Sequence, residues 1–239
     1  MPGVVLFHTG AGPQDVFLRW KADSLATDRE TFGENGCVVL VADILGDPTG
    51  WAWSGDRRRC QKVRSSVLVP HEEHGTTEAL AGWVQAAIDA ARSQPGVDPK
   101  RIAALGFCLG GHPVLELARL RDPGVRAMAT FHGVFDGVRK LSPVEGAGDG
   151  GGGNGNVVAG RDVLVCTGAE DPFVSDEDLD AAKDMFEGLG YHTDVMKFPG
   201  TRHRFTNPAQ DFNPSEAFAY SKDSYKKAWF AALSLLKRV

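Results

Sequence analysis

Between Arg101 and Leu120 the chain changes its apolar period around one residue. Arg101–Phe107 (RIAALGF) is a short, nearly continuous apolar run, which reads as a buried strand. His112–Leu120 has helical spacing, and Cys108 stands at the junction, inside Gly106-Phe107-Cys108-Leu109-Gly110-Gly111. A strand that turns at once into a helix holds the residue at its apex in a strained backbone conformation. Side chains two positions before and two positions after would collide there, and Gly106 and Gly110 occupy those positions. Gly111 lets the following helix pack closely. The turn therefore presents a thiol at the carboxyl end of a sheet strand. Most free cysteines are small buried hydrophobes, but a buried filler needs no three glycines around it.

The same alternation runs along the chain. Val4–His8, Cys37–Asp43, Val125–His132, Asp162–Thr167 and Thr193–Phe198 read as further strands. Phe17–Thr27, Thr76–Ser93, Asp176–Leu189 and a long final segment, Ser215–Arg238, read as helices. Asp176, Glu177 and Asp178 fall in a first helical turn, where the helix dipole favours negative charge. Strands alternating with helices imply right-handed crossovers and a parallel sheet. Strands apolar almost throughout imply helical cover on both faces. The expected class is α/β: one domain over residues 1–239, with a mostly parallel central sheet flanked by helices on both faces. Gly146–Gly160 (GAGDGGGGNGNVVAG) is the one low-complexity stretch, and it reads as a flexible loop because the alternation resumes after it.

Sites in parallel sheets lie at the carboxyl ends of strands. Thr9-Gly10 follows the first strand and Cys108 the third. Gly168-Ala169-Glu170-Asp171 follows the fifth, and Pro199-Gly200-Thr201-Arg202-His203 the sixth. A thiol, a carboxylate and an imidazole thus share one sheet edge, in the chain order nucleophile, acid, histidine used by α/β-hydrolases. Glu170 and Asp171 both qualify as the acid. His8 and His132 end strands and are placed to line a pocket there, whereas His112 and His192 carry no motif. Trp51 and Trp53 are candidate pocket walls, and Arg57-Arg58-Arg59 is a candidate anion contact in an otherwise solvated turn.

His71-Glu72-Glu73-His74 lacks the spacing of a helical zinc motif, so no metal and no cofactor is expected. The net charge of −5 argues against nucleic acid or an anionic membrane as partner. No run of about 18 apolar residues suggests a transmembrane helix. The opening Met1-Pro2-Gly3-Val4 does not read as a signal peptide. Cys37, Cys60, Cys108 and Cys166 have no CxxC spacing and read as free thiols in a reducing compartment, the cytoplasm.

The segments GFCLGG, GAEDPFV and PGTRHRF resemble, in order and spacing, the three catalytic segments of the dienelactone hydrolase family, cysteine members of the α/β-hydrolase fold. The resemblance runs from PGVVLFH through the final helix. It implies Cys108 as nucleophile, His203 as base and Asp171 as its orienting acid, with an oxyanion hole from the backbone N–H groups of Leu109 and Gly10. It also implies a small ester or lactone as substrate, a thioester intermediate, and a monomer or homodimer. Three departures stand out. Thr9 falls where well-studied members carry a glutamate against the thiol. Asn207 falls where they carry a substrate-binding arginine, leaving Arg204 and Arg57–Arg59 as the nearby cations. The antiparallel edge strands that often precede the first parallel strand are expected to be reduced. A broad carboxylesterase or thioesterase, or a catalytically idle binding protein on the same fold, are the competing readings.

Overall fold

The computed structural model describes residues 1–45, 62, 64–68, 78–141 and 160–239. Trp51, Trp53, Arg57–Arg59, Cys60, the His71–His74 stretch and nearly all of the Gly-rich stretch lie outside the described residues. Six strands form one sheet: β1 (Gly3–Phe7), β2 (Val38–Ala42), β3 (Ile102–Phe107), β4 (Val125–Phe131), β5 (Asp162–Gly168) and β6 (His192–Phe198). Their order is β2-β1-β3-β4-β5-β6, and every pair is parallel. Among the described residues no antiparallel strand adjoins the sheet.

Six α-helices accompany it among the described residues. They are α1 (Val16–Ala26), a single turn α2 (Arg29–Phe32), α3 (Glu78–Arg92), α4 (Gly111–Leu120), α5 (Asp176–Gly188) and α6 (Lys222–Leu236). Because successive strand side chains point to opposite faces, an apolar strand builds two cores at once. Val5, Phe7, Ile102 and Ala104 pack with Val84 and Ile88 of α3, Val114 of α4 and Phe186 of α5. Val4, Leu6, Ala103 and Leu105 pack with Leu18 and Leu25 of α1 and Ala228, Ala232 and Leu235 of α6 on the other face. Lys21 reinforces that second layer. Its buried ammonium lies 4.1 Å from the Tyr225 ring centre and 4.4 Å from that of Trp229, joining α1 to α6, and burial lowers its pKa to about 8.

The final helix is shorter at its start than the sequence pattern suggests. Residues 215–221 run as an irregular strap: Phe218 forms an isolated bridge with His203, and Ser221 caps α6 by accepting from the Ser224 amide. Helical periodicity lost there to two backbone bonds with the His203 loop, His203 N to Ala217 O at 3.2 Å and Ala219 N to His203 O at 3.3 Å. The register sets the site. Phe7 pairs with Gly106, Phe107 with Phe131, and Gly168 with Phe198, so the segments that follow β1, β3, β4, β5 and β6 emerge along one edge.

Candidate active site

Cys108 leaves the end of β3 with φ of 55°, a left-handed conformation that costs a side-chain-bearing residue about 1–2 kcal/mol. The surroundings hold it there. A Cβ on Gly106 would overlap the Gly110 carbonyl oxygen, and one on Gly110 would lie 2.6 Å from the Phe7 carbonyl oxygen. The Cys108 carbonyl accepts from the Val134 amide at 2.9 Å, tying the apex to the loop after β4. A short 3-10 turn, Cys108–Gly110, leads into α4, and the Leu109 amide falls in the first turn, where helix geometry supplies no acceptor.

His203 reaches the thiol from the loop after β6. Its Nε2 stands 3.1 Å from Sγ, and its Nδ1 stands 2.7 Å from Oδ2 of Asp171. Asp171 and His203 are both buried, and the second Asp171 oxygen accepts the Phe173 amide at 2.9 Å. Of the two neighbouring acids it is Asp171 that meets the imidazole; Glu170 is exposed. Burial alone would raise the Cys108 thiol. The charge and hydrogen bond of His203, the charge of Arg204 and the Gly10 amide outweigh it and lower the thiol's pKa. Burial would likewise lower His203, but the thiolate and the Asp171 carboxylate raise it to about 9. Both shifts favour a thiolate beside an imidazolium, and the Asp171 carboxylate orients the ring.

The model of the Dienelactone hydrolase family matches residues 1–239. The chain belongs to the dienelactone hydrolase family. It is 30% identical to a dienelactone hydrolase-like promiscuous phosphotriesterase, P91, from metagenomic libraries, covering 99% of this chain and 85% of that one with a TM-score of 0.72. A second structure, m3DLH, is also 30% identical, covering 100% and 86% with a TM-score of 0.75. A Caenorhabditis elegans protein, K02A2.1, is 29% identical over 154 residues, 64% of this chain and 90% of that protein.

Within this dienelactone hydrolase family member the remaining expected residues divide. The Gly10 amide donates to the Cys108 sulfur, so the oxyanion-hole candidate faces the reacting atom. His8 holds that loop, with Nδ1 donating to the Thr9 carbonyl at 2.6 Å and Nε2 accepting from the Ile44 amide at 3.1 Å. Thr9 turns its hydroxyl to Asp15 and to the Ala11 amide, at 3.4 and 3.1 Å. Arg204, left-handed at φ 57°, donates Nη2 to Asp15 at 3.3 Å and links the β6 loop to the cap of α1. The Asn207 side chain accepts from the Ala209 amide at 3.0 Å and so caps the 3-10 turn Pro208–Phe212. Among the described residues no group of three or more His, Cys, Asp or Glu is arranged to hold a metal. No described helix is long and apolar enough to cross a membrane.

Three aromatic neighbours of His203 complete the site. Phe173 lies 4.9 Å and Phe218 5.6 Å from the imidazole centre, and His132 lies 5.0 Å away, buried, with Nε2 3.0 Å from the Thr206 hydroxyl. Burial and the neighbouring His203 and Arg204 charges hold His132 well below the usual imidazole range, so it stays neutral beside the imidazolium. His132 ends a strand and Phe173 follows Asp171 by two, which are weak sequence signals. Phe218 had none, because only the strap brings it to the site.

Proposed function

We propose that the protein hydrolyses small esters or lactones by covalent catalysis. Cys108 is the nucleophile, His203 the acid and base, and Asp171 the carboxylate that fixes the imidazole. The observation that carries this reading is the unbroken chain from Sγ through the imidazole to a buried carboxylate, 3.1 Å and 2.7 Å long at its two links.

The thiolate adds to the acyl carbon, and the carbonyl π pair moves onto oxygen. The Leu109 and Gly10 amides receive that oxyanion, each such donor contributing roughly 3 kcal/mol. Collapse breaks the bond to the leaving oxygen, which takes the proton from His203 and leaves a thioester. Neutral His203 then removes a proton from water, and the hydroxide adds to the thioester. A second collapse returns the thiolate and releases the acid. Thiolates attack activated or strained carbonyls well and amides poorly, so esters and lactones are preferred to peptides.

The Arg204 contact favours a broad esterase over a hydrolase restricted to carboxylate-bearing lactones. Its guanidinium is bound by Asp15, and Asn207 is uncharged and engaged as a cap. A panel of dienelactone, aryl esters and acyl thioesters separates these substrate ranges. An activated aryl ester should give a burst of phenol equal to the enzyme concentration and a thioester adduct by mass spectrometry. Cys108→Ala should lower the rate by about 10³-fold or more. A near wild-type rate in that variant would remove the mechanism and favour an idle binding role.

A further inference from the structure

The opposite, amino-terminal edge of the sheet carries a feature the chemistry at Cys108 does not use. An open cleft of about 700 Å³ lies between the ends of α3 and α6 and the segments leading into β3 and β4. Five cations line it: Arg92, Lys100, Arg101, Arg126 and Arg238. On a chain of net charge −5 this is a local reversal of sign. Six residues of β3 separate Arg101 from Cys108, roughly 20 Å at strand rise, so the cleft is remote from the thiol.

Three of the five cations already have partners. Arg92 binds the buried Asp122 carboxylate and reaches Asp89 at 3.3 Å. Arg238 lies 3.5 Å from Asp162, and Arg101 donates twice to the Val239 carbonyl oxygen, at 3.0 and 2.6 Å. Lys100 and Arg126 have no ion-pair or hydrogen-bond partner for their side chains among the described residues, although they face one concavity. Gly124 also lines the cleft, where a Cβ would overlap the Pro99 carbonyl oxygen and lie 2.8 Å from Arg92 Nη2.

The backbone presents Arg126 deliberately. Ile102 pairs with Val125 and the next residue, Ala103, pairs with Ala127, so Arg126 is the extra residue of a β-bulge. A bulge re-aims the side chain it carries. In β4, whose other residues are all buried, Arg126 alone is exposed. An arginine in a central parallel strand has no packing purpose, and the bulge takes it out of the core into the cleft.

We propose that this cleft is a second ligand site, binding a small phosphorylated anion through Arg126 and Lys100. Phosphate suits the lining: guanidinium forks match its oxygens, and the two cations that line one cleft leave a charge that a dianion neutralises. The cleft volume admits a ligand from pyrophosphate to a nucleotide in size.

Pyrophosphate is the probe, titrated calorimetrically into the full chain at constant ionic strength. Saturable binding is expected, weakened tenfold or more in Lys100→Ala/Arg126→Ala, while hydrolysis at Cys108 is unchanged. Arg126→Lys, which keeps the charge but loses the fork, should bind with an affinity between those of the wild type and the double variant, and both side chains are exposed, so the variants fold. Vesicles of phosphatidylcholine with phosphatidic acid separate a free ligand from a headgroup. Co-sedimentation that disappears in the double variant would support the phosphoryl site with a lipid as its source. Absence of saturable pyrophosphate and vesicle binding, or equal binding in the double variant, would overturn the site.

Discussion

Cys108 and Cys166 lie on neighbouring parts of one sheet and have opposite chemistry. Cys166 is inside β5, opposite Phe131 and Met196, and burial pushes its thiol up to about 12. Cys37, also buried and donating to the Leu25 carbonyl, is raised to about 12. Burial acts on Cys108 too, yet its thiol is lowered. The difference is one of placement. A residue within a strand meets only apolar neighbours, whereas a residue one step beyond the strand end meets the His203 imidazole, the Arg204 charge and the Gly10 amide. In the proposed mechanism reactivity belongs to the turn, and cysteine is the side chain the turn activates.

The contrast should be widest in alkylation. At pH 7 iodoacetamide is expected to modify Cys108 on the order of 10³ times faster than Cys37 or Cys166, with loss of activity in parallel. Mass spectrometry of timed digests reads the three rates; equal rates would dissolve the comparison. The pH profile follows from the same pair. Activity rises as pH passes the lowered pKa of Cys108, because the thiolate forms. It falls as pH passes about 9, because the imidazolium that protonates the leaving oxygen is lost. Asp171→Asn removes one of the groups that raise His203, so the alkaline limb should move to lower pH, with kcat reduced by about 10²-fold. An unmoved alkaline limb would assign that limb to another group.

The central part of this site was legible because two local rules sufficed. Strand ends define the functional edge, and the glycines around Cys108 mark an apex that only a strand-to-helix turn requires. Position after strands pointed to His203 and to either Glu170 or Asp171; the family resemblance selected Asp171, and the structure places that carboxylate 2.7 Å from the His203 imidazole. What was not legible depends on contacts across the fold. Residues 215–221 have helical spacing but are drawn into a strap by backbone bonds to the His203 loop, and the strap delivers Phe218. The strand end placed His132 near the pocket, but its role as a neutral neighbour arises from burial beside His203 and Arg204. Thr9 is a departure from the family whose consequence is also tertiary: its hydroxyl joins Asp15, which in turn holds Arg204.

The turn itself can be broken without touching the thiol. Gly106→Ala would drive a methyl into the Gly110 carbonyl and to 2.8 Å from Val114 Cγ2. Backbone cannot yield as a flexible side chain does, so a loss of about 3 kcal/mol in stability is expected, with Cys108 alkylation slowed toward the Cys166 rate. Gly82→Ala is the control. It lies in α3 with nothing within 4 Å of the added methyl, and it should stabilise by about 0.5–1 kcal/mol. Chemical denaturation of both variants measures the difference. Equal stabilities would mean that the glycine at the turn is not required by packing.

The smallest effect concerns the charge beside the thiol that comes from the β6 loop. Arg204 favours the thiolate by charge alone, and Asp15 fixes where that charge sits. Arg204→Gln keeps the length and removes the charge, and it leaves the Asp15 carboxylate without its guanidinium. Both changes disfavour a nearby anion, so the Cys108 pKa should rise and less thiolate should be present at neutral pH. The thiolate absorbance near 240 nm should titrate at higher pH, and alkylation at pH 7 should slow roughly threefold, as fits a partly exposed charge screened by solvent. Arg204→Lys should recover most of the rate, since it restores the charge but not the fork. Cys166 should be indifferent to both variants. If Arg204→Gln leaves the Cys108 titration where it was, His203 and the Gly10 amide suffice to hold the thiolate, and Arg204 serves only to tie the β6 loop to the cap of α1.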